Sequence, residues 1–263
     1  MSALSLILLL SVVLAVAFGV LYLACRRLDN YGFVDVAWSY AFAGVAGLYA
    51  WLGDGWAPRR LLVASLAGLW SIRLGTHLLN RVAGHHPAED SRYAQMRREW
   101  TTGFQVRMFG FFQVQAATVV LLSVPFLLPV ANPTPVFHGL ELAGAALWLV
   151  AMIGESCADA QLAAFKRNPA NRGQVCDVGL WRYSRHPNYF FEWLVWVSFL
   201  VFALASPWGW IAVIAPAGML FLLLRVSGIP LNEEAAVRSK GDAYRRYQAT
   251  TSAFVPWFPQ RPS

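Results

Sequence analysis

Charge is what this sequence has least of: Asp, Glu, Lys and Arg together make up 13% of its 263 residues, against 57% apolar residues. A chain so poor in polar side chains cannot cover a water-facing surface, which excludes an ordinary soluble domain. Cysteine is scarce too. Cys25, Cys157 and Cys176 are too few and too scattered for a disulfide framework, and none has the paired spacing of a zinc site, so all three read as apolar packing. The sequence has no GxGxxG phosphate loop and no alternation of strand and helix patterns, so a dinucleotide could not be held by a Rossmann domain. Internal repeats, low-complexity tracts and long linkers are missing as well, and a single domain over residues 1–263 is expected.

What the chain does have is apolar length. A membrane span needs about 20 largely apolar residues, and seven such runs lie near residues 3–25, 33–52, 60–82, 108–131, 139–165, 188–205 and 208–225. The expected fold is therefore all-α, a polytopic membrane bundle of about seven transmembrane helices. The first run has no Lys or Arg at its start and no small-x-small cleavage site before Arg26, so it reads as a retained helix rather than a signal peptide. Eighteen of the 21 Lys and Arg fall in four regions: after the first run, from Arg81 to Arg107, from Lys166 to Arg185, and from Arg225 onward. Seven spans put these regions on one side and Arg59 and Arg60 on the other, which predicts an external N-terminus and a cytoplasmic C-terminus. Positive-inside loops against anionic lipid also account for the net charge of +7 without a nucleic-acid partner.

Ionisable groups inside a bilayer are costly, by roughly 2.5–3.5 kcal/mol on insertion scales, so each retained one is a functional candidate. In the second run Asp35 and Trp38 share a helix face; Asp35 is compatible with a site role, with the helix dipole, or with pairing to a basic neighbour. The third run places Trp70, Arg73, His77 and Asn80 on one stripe, expected to face the bundle interior as a hydrogen-bond seam or as a cavity wall. The fifth ends with Glu155, Asp159 and Lys166 on one face, either an acid-base network between helices or part of a site. The sixth opens with Arg185, His186, Pro187, Asn188 and Tyr189, followed one turn later by Glu192. Pro187 there is a helix-start signal. His85 and His86 adjoin each other but match no paired-ligand pattern, so no metal is expected.

The segment Gly179-Leu180-Trp181-Arg182-Tyr183-Ser184-Arg185-His186-Pro187-Asn188-Tyr189-Phe190-Phe191-Glu192 resembles the membrane steroid 5α-reductase superfamily, in its bacterial branch. The resemblance extends upstream to Glu89-Asp90-x-Arg92-Tyr93 and Glu155-x-x-x-Asp159-x-Gln161. Downstream it runs through Val226-Ser227-Gly228-Ile229-Pro230 and Glu233-Glu234 to Tyr244-x-x-Tyr247 and Phe254-Val255-Pro256-Trp257. It implies a seven-helix protein of the bacterial inner membrane that holds NADPH in the cytoplasmic half of the bundle. The implied reaction is reduction of the Δ4 double bond of a 3-oxo steroid, or a similar lipophilic enone, dissolved among membrane lipid. Cofactor contacts then fall to Glu155, Asp159, Lys166, Arg172, Arg182, Arg185, His186, Asn188, Glu192, Glu233, Glu234 and Tyr247. Of these, Lys166, Arg172, Arg182 and Arg185 suit phosphates, Asp159 a ribose hydroxyl and Asn188 the carboxamide. Catalytic roles are expected of Asp35, Tyr93 and Arg73, and substrate contacts of Trp38, Trp70 and His77. Asp35 stands where the animal members carry a longer glutamate, and the tyrosine that partners that glutamate has no clear counterpart in the third run.

Isoprenylcysteine carboxyl methyltransferases share a similar Arg-His-Pro-x-Tyr helix start and a paired-glutamate segment, which makes an S-adenosylmethionine-dependent methyltransferase the alternative enzyme. A non-catalytic sterol-binding or transport protein would need a polar-lined bundle too.

Overall fold

The computed structural model of the protein describes residues 1–226 and 228–260. It is helical throughout, with no strand among the described residues. The helices are α1 (Ala3–Leu28), α2 (Phe33–Leu52), α3 (Ala57–His85), α4 (Ser91–Glu99), α5 (Phe104–Leu122), α6 (Val124–Val130), α7 (Gly139–Arg167), α8 (Pro187–Ala203), α9 (Ile214–Phe221), α10 (Ile229–Lys240) and α11 (Asp242–Thr250). Among the described residues, six stretches are long and apolar enough to cross a membrane: α1, α2, α3, Phe104–Val130, α7 and Gly209–Lys240. The chain is a polytopic α-helical membrane protein. The seventh expected run, near 188–205, is α8, whose 17 residues are shorter than those six. At 1.5 Å per residue it is about 25 Å long, against a hydrocarbon core of about 30 Å.

The backbone groups into two compact units, Met1–His138 with Ala203–Ala212, and Gly139–Phe202 with Val213–Ser263. In the first, α1 buries Leu6, Leu10, Leu14, Phe18 and Tyr22 and exposes Leu4, Leu8, Val12, Val16 and Val20. That four-residue spacing is one apolar stripe turned inward and another turned outward, towards lipid in a spanning helix. Small residues bring α2 and α3 together. A Cβ on Gly75 would sit 2.8 Å from the Tyr40 ring, and the Ser71 hydroxyl donates to the Ser39 carbonyl at 2.5 Å.

Arg59 and Arg60, expected simply as charges on the far face, fasten the loops there. Arg59 is 1% exposed and donates to the carbonyls of Asn132 (2.9 Å), Thr134 (2.8 Å) and Val136 (2.7 Å). Arg60 donates to those of Ala50 and Gly53. Buried backbone carbonyls need donors, and a planar guanidinium serves several at once.

In the second unit α7 and α8 approach just as closely. A Cβ on Gly144 would lie 2.7 Å from the Phe202 nitrogen and 2.8 Å from the Ser198 carbonyl, and Gly154 packs against the Phe191 ring. The chain after α11 folds back along the start of α8: Arg185 N donates to Ser252 O (2.8 Å), Ser184 Oγ to Phe254 O (2.8 Å), and Trp257 N to Tyr183 O (2.8 Å).

Candidate functional site

The first polar centre belongs to the first unit. Asp35 sits in the first turn of α2, and α4 brings Arg92 and Tyr93 to it. The Tyr93 hydroxyl donates to Asp35 Oδ1 at 2.8 Å, and Arg92 Nη2 pairs with Asp35 Oδ2 while also donating to the Tyr93 oxygen at 2.8 Å. The Arg92 guanidinium lies over the Tyr93 ring, 4.7 Å from its centroid, and Tyr93 is fully buried. Burial first, and then the Asp35 carboxylate, push the Tyr93 phenol well above its ordinary value of 10.0. For Arg92 burial works against the charge, but Asp35 outweighs it and the guanidinium is held protonated.

Neighbouring acids place α4. Asp90 caps it by accepting from Arg92 N (3.1 Å), and Glu89 accepts from Tyr31 N (2.8 Å) and from Arg97 Nε (3.2 Å). Every position of Glu89-Asp90-x-Arg92-Tyr93 named in the sequence thus helps seat Tyr93 on Asp35. Sequence reasoning missed Arg92 as the partner of Asp35, although the motif contained it. Both Asp35 oxygens accept hydrogen bonds, one of them from a cation.

The other residues expected near this centre are spread along their helices. Trp38 donates to Thr118 Oγ1 (2.9 Å) and packs edge-on against Phe42, which in turn meets the buried Trp70. Arg73 is half-buried, and His77 and Asn80 are exposed. The stripe on α3 therefore runs from interior to surface rather than lying wholly inside.

The second centre belongs to the second unit and turns on Glu233 of α10. Its carboxylate accepts from Arg185 Nε (2.6 Å) and Nη2 (3.0 Å), His186 Nε2 (3.1 Å), Tyr244 Oη (3.2 Å) and Gln248 Nε2 (2.7 Å). Arg185 also donates to the carbonyls of Gln248 and Thr251, and His186 stacks on Tyr189 at 5.5 Å. Burial, and then the charge of Glu233, push the Tyr244 phenol up. Tyr247 donates to the Trp181 carbonyl. One acid thus locks the start of α8 to α10 and α11. Arg185, His186 and Glu233 come together with their polar groups committed to each other, and the Tyr247 hydroxyl beside them is committed to the Trp181 carbonyl. Glu234 is 67% exposed and, among the described residues, pairs with Arg238 of its own helix.

Beside this lock, Asn188 Nδ2 reaches Asp159 Oδ1 at 3.4 Å, the buried Glu192 accepts from Trp196 Nε1 at 3.3 Å, and Glu155 is buried one turn before Asp159. Trp181 Nε1 donates to Ala158 O (2.9 Å) and Leu180 N to Gln161 Oε1 (2.8 Å). Gly179, at φ +58°, lies so close to Gln161 that a Cβ would collide with it.

At the C-terminal end of α7 a cavity of about 440 Å³ opens, lined by Leu162, Phe165, Lys166, Arg167, Arg172 and Lys240 among others. Of the four basic residues proposed for phosphates, Lys166 and Arg172 are here, Arg182 is exposed outside the lining, and Arg185 is held in the lock. Arg167 and Lys240 were not foreseen. Among the described residues no group of three or more His, Cys, Asp or Glu is placed to hold a metal ion. Ser227, part of one quoted motif, lies outside the described residues.

Fold and sites together define a polytopic helical membrane protein with two buried, acid-centred hydrogen-bond networks and one basic cavity. Residues 21–251 match the family described as protein of unknown function (DUF1295), and the chain belongs to that family. It is 28% identical over 186 residues to a protein of Schizosaccharomyces pombe (strain 972 / ATCC 24843) described as uncharacterized, covering 60% of this chain and 53% of the yeast protein. The match spans about half the length of that curated relative. No solved structure matches the chain.

Proposed function

We propose that the protein is an NADPH-dependent reductase of a membrane-dissolved enone, of the kind its resemblance to the membrane steroid 5α-reductases implies, acting on the Δ4 double bond of a 3-oxo steroid or a similar lipid. The observation that carries this reading is the buried Tyr93 phenol, hydrogen-bonded to Asp35 and Arg92 where α2 begins. Bound NADPH supplies the hydride. Its arrival at the β carbon leaves negative charge on the carbonyl oxygen, and a preorganised donor in an apolar surround stabilises that charge. Tyr93 fills that role when its single O–H turns from Asp35 Oδ1 to the substrate oxygen, and burial and the Asp35 carboxylate both favour the protonated phenol. Asp35 and Arg92 orient the phenol. The enolate takes its α-carbon proton from water.

The residues of the second unit suit the cofactor's parts. Asp159 can accept from a ribose hydroxyl and Asn188 can serve a carboxamide, while Lys166 and Arg172 line a cavity with room for phosphate. The Glu233 lock holds the start of α8, and hence Asn188, in a fixed place. A wall of four cations favours phosphate over the sulfonium of S-adenosylmethionine, which weighs against the methyltransferase alternative.

The test is turnover by purified protein given NADPH and a 4-ene-3-one steroid, or a membrane lipid extract, with absorbance followed at the reduced-nicotinamide band. A parallel incubation contains radiolabelled S-adenosylmethionine. Substrate-dependent loss of absorbance that collapses in Tyr93→Phe supports the reading. Transfer of label with no absorbance loss overturns it.

A further inference from the structure

The motif Phe254-Val255-Pro256-Trp257 has no part in the function proposed above. It belongs to the segment that folds back along the start of α8, where its backbone is fixed. Trp257 N donates to Tyr183 O (2.8 Å), Phe254 O accepts from Ser184 Oγ (2.8 Å), and Gln260 N donates to Thr250 O (2.8 Å). That backbone sorts the side chains. Phe254 is buried, its ring 5.7 Å from that of Phe190 and 5.8 Å from that of Trp193. Val255, Trp257 and Phe258 are turned out, the last two 68% and 76% exposed. Phe258 meets the Tyr183 ring edge-on at 6.0 Å and the Trp257 ring at 6.4 Å, so three exposed aromatic side chains form one cluster. Exposed cations flank it. Arg182 precedes Tyr183, and Arg246 lies one turn before Thr250, whose hydroxyl donates to the Arg246 carbonyl (3.2 Å). Neither forms an ion pair among the described residues, whereas Arg245 is paired with Asp242, the one acid of α11. Residues 251–260 contain no acid.

The start of α8 sets the height of this cluster. The apolar helix begins at Pro187, four residues after Tyr183, and its length of about 25 Å falls short of a hydrocarbon core of about 30 Å. A helix shorter than the core draws its flanking residues towards the boundary of headgroups and acyl chains, where Trp, Tyr and Arg are the side chains that settle. A partner that is apolar on one side and anionic on the other matches the rings and the cations together. We infer that Tyr183, Trp257 and Phe258, flanked by Arg182 and Arg246, form an interfacial docking surface for anionic phospholipid. The rings enter the upper acyl region, and the guanidiniums meet headgroup phosphate. The predicted orientation puts this surface on the cytoplasmic leaflet, whose anionic lipids attract basic segments. Lipid bound there fastens the segment that grips the start of α8. The surface stands whether or not the protein is a reductase.

Val255→Cys, in the full chain with the exposed Cys157 removed by Cys157→Ser, carries a nitrobenzoxadiazole fluorophore and leaves all three rings in place; Cys25 and Cys176 are buried. The labelled protein is reconstituted in phosphatidylcholine vesicles containing equal amounts of either phosphatidylcholine or phosphatidylglycerol with a nitroxide beside the headgroup. Quenching by both lipids is expected, and more by the phosphatidylglycerol. A cation near an anionic surface contributes about 1 kcal/mol, so Arg182→Gln and Arg246→Gln should each lower that preference by up to roughly fivefold. Trp257→Ser combined with Phe258→Ser should weaken quenching by both lipids. No quenching by either lipid overturns the inference, as does equal quenching by the two lipids in the protein with both arginines intact. A preference lowered as much by Arg238→Gln, on α10, would be a general charge effect and would overturn the role of the two arginines. Energy transfer between donor-labelled and acceptor-labelled copies that persists on dilution with empty lipid would assign the cluster to a second copy of the chain instead.

Discussion

Glu233→Gln keeps the shape of the side chain and removes its charge, which isolates what the carboxylate does for the second unit. Glu233 accepts from Arg185, His186, Tyr244 and Gln248, with its side chain 14% exposed and that of Arg185 10% exposed. Removing one partner of a fully buried pair costs about 3–5 kcal/mol. Arg185 keeps its carbonyl contacts to Gln248 and Thr251, and water reaches part of the pair, so about 2–3 kcal/mol is expected. For a chain of this size that corresponds to roughly 4–12 °C in unfolding midpoint. The adjacent Glu234→Gln breaks only an exposed pair on one helix, worth about 0.5 kcal/mol or less, and should move the midpoint by under about 2 °C. Thermal unfolding in detergent, followed by tryptophan fluorescence, compares the two. Equal shifts, or a silent Glu233→Gln, would refute the assignment of Glu233 as the lock and Glu234 as surface.

Three further outcomes follow from the geometry. Asp35→Asn retains hydrogen bonding to Tyr93 and should keep partial turnover, whereas Asp35→Leu strands Arg92 and should abolish most turnover while NADPH still binds; full activity in both would make Asp35 purely structural. Gly144→Ala forces a methyl group against the backbone of α8, which cannot yield as a side chain can, so it should destabilise by about 1–3 kcal/mol, while Gly84→Ala, in open space, should be neutral or stabilising in the same thermal assay. A reporter after residue 260 should be cytoplasmic and one in the Asn132 loop external; both on one side would mean that the short α8 does not complete a seventh crossing.

Apolar run length made the spanning helices legible, because a continuous apolar run of about 20 residues can satisfy its backbone in lipid only as a helix, a closed barrel needing shorter, alternating strands. The short α4 had no such signal: nine mostly polar residues look like loop until Asp90 caps them and Tyr93 is buried. The partner of Asp35 was hidden for a related reason. Arg73 shared the right periodicity on a long helix, but Arg92, across a loop, is the residue that tertiary folding delivers. Arg185 was recognised as important and assigned to phosphate, yet sequence spacing cannot tell a cation committed to Glu233 from one left open. Lys240 was missed because it lies 74 positions from Lys166, at the end of another helix, and only packing puts both on one cavity wall. Arg59 and Arg60 were counted as loop charges, whereas the carbonyls they serve belong to turns whose shape no periodicity encodes.

NADPH binding by the second unit through the ends of α7 and α8, as proposed, is decided by calorimetric titration of NADPH into folded Asp159→Ala and Asn188→Ala. Losing a hydrogen-bonding partner of a bound group costs about 1–3 kcal/mol, so each variant should bind roughly 5- to 150-fold more weakly than the wild type. Wild-type affinity in both, or no NADPH binding by the wild type itself, would overturn that proposal.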